Sequence, residues 1–200
     1  MSNKNTVDLN FQQLYNKINQ LFYYIKESAM KNLSLKEIIY ASIIGGLLSG
    51  IVKLGWEVML PPRTPVRNAT NPPQELLQHL GFSSNFTHMT YQFSEQQMPW
   101  VSFIVHFSFS IIIAIIYILL VKRYSKISML YGSIFGILIW IVFHLILMPL
   151  MHVVPSMFNQ PLQEHLSEIF GHIVWMMVIE LIRRYYIFKK SIVSQKFLNE

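Results

Sequence analysis

Residues 101–121 read VSFIVHFSFSIIIAIIYILLV and are followed at once by Lys122 and Arg123. The stretch holds no Asp, Glu, Lys or Arg, and its one histidine is His106. At about 1.5 Å per residue it is long enough to cross a hydrocarbon core roughly 30 Å thick. Three other runs share this character: 38–60, 128–150 and 165–187. The last is the weakest, because it carries Glu168, His172 and Glu180. The expected fold is an all-α membrane protein: four transmembrane helices in a bundle, with an additional amphipathic helix at the amino terminus.

Composition agrees. The 200 residues are 52% hydrophobic and only 13% charged, too apolar for an ordinary soluble domain of this size. No cysteine is present, so disulfides, thiolate nucleophiles and Cys-ligated metals or clusters are excluded. No nucleophile elbow, P-loop, H-E-x-x-H or dinucleotide fingerprint appears, and the chain is read as non-enzymatic. The net charge of +6 collects at the ends of the apolar runs, which argues for membrane orientation rather than a nucleic-acid partner. The eleven methionines are scattered and read as packing.

Local signals set the boundaries. Ser34 and Glu37 have capping-box spacing before the first span, and Pro61-Pro62 end it. Pro149 lies near the end of the third, where a kink is affordable. Thirteen Lys and Arg fall before span one, between spans two and three, or in the tail; the other loops hold only Arg63 and Arg67. Both termini are therefore expected in the cytoplasm. The resulting division is a cytoplasmic or interfacial amphipathic segment (1–34), a membrane domain (35–190) with an outward loop (61–100), and a cytoplasmic tail (191–200). A short helix is expected near 74–80. The sequons at Asn68 and Asn85 carry little weight. Residues 7–25 place Val7, Phe11, Leu14, Ile18, Leu21 and Ile25 in a heptad stripe, which fits a helix on the membrane surface or a dimerising coiled coil; a homo-oligomer stays open.

Six ionisable groups lie inside the apolar runs. With this orientation Lys53 and Glu57 sit ~10 and ~5 Å below the outer end of span one, and His106 ~8 Å down span two. His144 lies ~9 Å down span three, with Glu168 and His172 ~5 and ~10 Å down span four. One polar layer near the outer face is expected, because charges in a span face inward and pair. Ser42, Gly46 and Gly50 form a row of small residues that lets helices approach closely. Gly132 and Gly136, continued through Trp140, put His144 on the bundle face. His165, one heptad before His172, is expected to share its face.

The layer admits several readings. It is a purely structural hydrogen-bonded layer, a proton or ion relay or pH sensor, a metal site of His106, His144, Glu168 and His172, or a bis-histidine haem site. Arg63 and Arg67, in a proline-stiffened segment, suit lipid phosphate or another anion, or pair with Glu57 or Glu164. Glu180 with Arg183 and Arg184 reads as a salt-bridge cluster at the cytoplasmic surface, and Trp56, Trp100 and Tyr131 as interface anchors.

Two motifs carry a family resemblance. Ser49-Gly50-Ile51-Val52-Lys53-Leu54-Gly55-Trp56-Glu57, running on to Pro65, is one. The other is Ser167-Glu168-Ile169-Phe170-Gly171-His172 with Trp175 and Ile179-Glu180-Leu181-Ile182-Arg183-Arg184. Across 38–185 the chain resembles the YagU-like family of small bacterial inner-membrane proteins. The resemblance implies a multi-pass protein of the inner membrane and brings no reaction or cofactor with it. The functional expectation from the residues is a layer that senses or relays protons, with a role in acid or envelope stress, in which His172 and Glu168 carry the pH dependence.

Overall fold

The computed structural model describes residues 33–198, together with Tyr15. Apart from Tyr15, the heptad segment 7–25 therefore lies outside the described residues. Ser34 caps α1 (Leu35–Met59) with both bonds of a capping box, to and from Glu37. The helix ends at Leu60, ahead of the two prolines. Within the connecting loop Asn71 caps α2 (Pro72–His79) through a second capping box, with Gln74, and a single turn α3 (Ser84–Thr87) follows. The loop also contains a small antiparallel hairpin, β1 (Tyr91–Phe93) with β2 (Gln96–Met98), in which Phe93 faces Gln96 across Ser94-Glu95. Ser94 takes the positive φ that so tight a connection demands.

The second span is α4 (Trp100–Arg123). The third departs most from expectation. Its first turns, Ser125–Gly132, form a 3-10 stretch broken by positive φ at Leu130, Tyr131 and Gly132. Regular helix begins only with α5 (Ser133–Ile139), so Gly132 is a left-handed N-cap rather than a member of a helical row. From Trp140 to Leu147 the helix widens to π, before a short α6 (Met148–Leu150). Pro149 has no N–H to donate and its ring crowds the carbonyl one turn back. The wider turns before it absorb that conflict. A 3-10 turn, Met157–Asn159, leads to α7 (Leu162–Leu198). At 37 residues α7 is about 55 Å long, so the expected tail begins as a continuation of the fourth helix.

Among the described residues four segments are long and apolar enough to cross a membrane: Leu35–Met59, Trp100–Arg123, Ser125–Leu150 and Leu162–Lys190. Helix α1 packs against both α4 and α7, and α5 packs against α7. Glycine permits the closest approaches. A Cβ on Gly46 would meet the Ile111 backbone at 2.6 Å, and one on Gly136 would meet the His172 carbonyl oxygen at 2.6 Å. Between them lies an apolar centre that includes Ile113, Ala114, Ile118, Met176 and Ile179, each at most 3% exposed. Exposed Ile, Leu and Phe side chains cover the outside of the bundle, as a lipid solvent requires.

Candidate functional site: two buried ionic clusters

The first motif and the Ser167–His172 part of the second meet at the end of the bundle where the long loop 61–99 attaches. Lys53 Nζ donates to Glu57 on its own helix and to Glu168 on α7, each at 2.9 Å. Gly171 makes room for it, since a Cβ there would stand 2.9 Å from Lys53 Nζ. Trp56 Nε1 donates to the Ser167 carbonyl at 2.9 Å, and Ser167 Oγ donates to the Leu60 carbonyl at 2.7 Å. Trp56 is thus a clamp between α1 and α7, where an interface anchor was expected.

The loop contributes the rest. Arg63 reaches Glu168 at 3.5 Å, and Arg67 grips Glu164 through both terminal nitrogens. Glu164 is fully buried. It lies one turn before Glu168 on α7, and that four-residue spacing was the available signal for it. Lys53, Arg63 and Arg67 against Glu57, Glu164 and Glu168 leave the cluster neutral. Neutrality matters here, because an unpaired charge inside a bundle is strongly unfavourable.

Histidines border this cluster. His172 Nδ1 lies 2.7 Å from the Glu168 carbonyl and 3.6 Å from its carboxylate. His144 Nε2 lies 2.9 Å from Gln160 Oε1 and 4.0 Å from Glu164. Gln160 in turn donates to the Pro155 carbonyl at 2.7 Å, which fixes its amide so that Oε1 faces the imidazole. His144 therefore donates from Nε2, and its Nδ1 is the nitrogen left to accept a proton. His106 instead donates from Nε2 to the Gly50 carbonyl at 3.1 Å. His165 turns away, with Nε2 at 3.0 Å from the Met157 carbonyl and its ring edge-on to Trp140. Among the described residues no three His, Asp or Glu side chains converge as metal ligands, so His106, His144, Glu168 and His172 are not brought together as one set.

Deeper in the bundle Ser110 links three helices. It donates to the Gly46 carbonyl at 2.8 Å, accepts from Trp175 Nε1 at 2.7 Å and lies 3.0 Å from Ser49 Oγ. Nothing in the hydropathy pattern marked this knot.

The second ionic cluster lies at the opposite end. Glu180 is fully buried and accepts from Tyr117 at 2.9 Å, from Arg183 at 2.6 and 2.7 Å, and from Arg184 at 2.6 Å. The i,i+3 and i,i+4 pairs are as expected, but the cluster is interior: Arg183 is 2% exposed. Tyr117 comes from α4 and closes the carboxylate off. Tyr131 is half-exposed and carries the Arg184 guanidinium 4.2 Å over its ring.

Comparisons with known proteins agree with this geometry in what they match. The family model described as "Protein of unknown function (DUF1440)" matches residues 47–181, which contain the first motif, the loop-end cluster and Glu180, and stop short of Arg183 and Arg184. The "Inner membrane protein YagU" of Escherichia coli (strain K12) is 35% identical over 167 residues, 72% of this chain and 81% of that protein. No solved structure matches the chain. Four apolar spans and an inner-membrane relative make this a multi-pass inner-membrane protein in contact with the lipid bilayer.

Proposed function

We propose, for a chain that belongs to the YagU-like family of multi-pass inner-membrane proteins, that the loop-end cluster is a proton sensor whose output is the position of loop 61–70. The observation that carries this reading is the competition built around Glu164. Arg67 holds that carboxylate from the loop, and His144 faces it from the third span at 4.0 Å. A proton on His144 Nδ1 turns the ring into an imidazolium and draws Glu164 toward it. Arg67 then loses part of its hold, and with it the anchor of the loop. Histidine is the side chain suited to such a switch near neutral pH. His172 faces Glu168, whose 2.9 Å partner is Lys53 on α1 rather than a loop residue.

Sensing fits better than conduction. Below the cluster lie the Ser49–Ser110–Trp175 knot and then the dry layer of Ile113, Ile118, Met176 and Ile179. Tyr117, the next polar group along α4, is seven residues or about 10 Å past Ser110. Along α4 a proton wire has no rung across that interval, and the buried Ser42 hydroxyl of α1 at that depth has no hydrogen-bond partner among the described residues. We read the protein as non-enzymatic, with the loop end outward and both termini cytoplasmic from the distribution of Lys and Arg, in keeping with a role in acid or envelope stress.

The chain has no cysteine, so a single Val66→Cys site on the loop takes a spin label cleanly. In lipid nanodiscs the label should gain mobility as pH falls from about 7.5 to about 4.5. His144→Gln should abolish that gain. A mobility that ignores pH, or one that responds equally in the variant, would refute the reading.

A further inference from the structure

Beside the cluster the loop and the 153–155 segment enclose a cleft of about 280 Å³, lined by Arg63, Arg67, Thr70 and Glu75 among others. It lies just beyond Met59 and Leu150, where α1 and the third span leave the apolar zone, which is headgroup level. Val66, 85% exposed, stands at its rim. Two charges in this cleft are incompletely used. Arg63 has a side chain only 9% exposed, yet among the described residues its single ionic contact is the 3.5 Å one to Glu168 and its Nε has no hydrogen-bond partner. Glu75, on the first turn of α2, forms no ion pair among the described residues. A plain anion would answer the arginine and be repelled by Glu75; a plain cation would meet the reverse.

We propose that this cleft binds the headgroup of a membrane lipid that carries both a phosphate and a primary ammonium, phosphate toward Arg63 and Arg67 and ammonium toward Glu75. Guanidinium forks match phosphate oxygens, and an ammonium donates charge-assisted hydrogen bonds to a carboxylate, which a quaternary amine cannot do. The site goes beyond the proton-sensing reading and does not depend on it.

Lipid retention by the purified full chain, measured by native mass spectrometry at one fixed pH, tests it. Phosphatidylethanolamine, phosphatidylcholine and phosphatidylglycerol of equal acyl length are the probes. Phosphatidylethanolamine should be retained roughly tenfold better than the other two. Glu75→Gln, which breaks no contact in the fold, should bring it down to their level. Equal retention of all three lipids, or an unchanged preference in Glu75→Gln, would overturn the proposal. Soluble glycerophosphoethanolamine should compete only weakly; binding as tight as the lipid's would overturn the membrane source. None of these outcomes bears on His144, since pH is held constant.

Discussion

The two ionic clusters solve the same problem in different ways. At the tail end Glu180 takes two of its three partners from its own helix, at i+3 and i+4, and the third from Tyr117. Helix geometry alone assembles most of it, and it contains no histidine. At the loop end the pairs join α1, α7 and an irregular loop, and two imidazoles stand against the carboxylates. The first arrangement is a lock built without an imidazole. The second depends on a loop staying in place and on histidines staying neutral. A charged pair within one helix stabilises a fold, whereas one shared between a span and a loop can also report on its surroundings.

Removing a charge from either cluster should be the largest perturbation. Lys53→Ala and Glu180→Ala each strand buried partners and should cost about 3–5 kcal/mol, seen as a fall in unfolding temperature in mild detergent. The comparison sharpens with pH: for the Glu180 variant the loss should be the same at about pH 7.5 and 5.5, whereas for Lys53 it should change with pH as the neighbouring histidines titrate. Equal pH profiles for the two variants would erase the distinction. Gly136→Ala forces a Cβ into the His172 carbonyl and should cost about 1–3 kcal/mol; because it disturbs the helix that bears His172, it should also alter the pH response. Ser110→Ala leaves Trp175 Nε1 without its buried acceptor, at about 1–3 kcal/mol, and should leave the pH response intact. Smallest is Ser34→Ala, which removes the α1 cap far from the loop-end cluster and should cost about 1 kcal/mol with no effect on lipid retention.

Much of the architecture was legible from residues 38–187. Uncharged runs bounded by Lys, Arg and Pro fix spans because a bilayer leaves the backbone few other options. The Ser34–Glu37 cap was legible because it is a local pattern. Depth along each helix brought Lys53, Glu57, Glu168 and His172 to one level, but depth carries no azimuth. His106 therefore turned out to bond a backbone carbonyl, and His165 to face Trp140. Glu164 was anticipated as a partner of the loop arginines, and Arg67 holds it, but Gln160 was missed because it sits in the irregular segment before α7, where hydropathy has faded. The burial of Glu180 was missed because Tyr117, which seals it, lies 63 residues away in sequence. The π turns and the left-handed Leu130-Tyr131-Gly132 follow from packing and leave no period to read.

The competition for Glu164 can be observed directly. Nitrogen-15 resonances of the His144 imidazole and the Arg67 guanidinium should be followed in lipid nanodiscs from about pH 7.5 to about 4.5. The account predicts that His144 Nδ1 gains a proton and that the Arg67 resonances shift at the same midpoint, with Glu164→Gln uncoupling the two. A neutral His144 throughout, or a protonated one that leaves Arg67 unmoved, would contradict it.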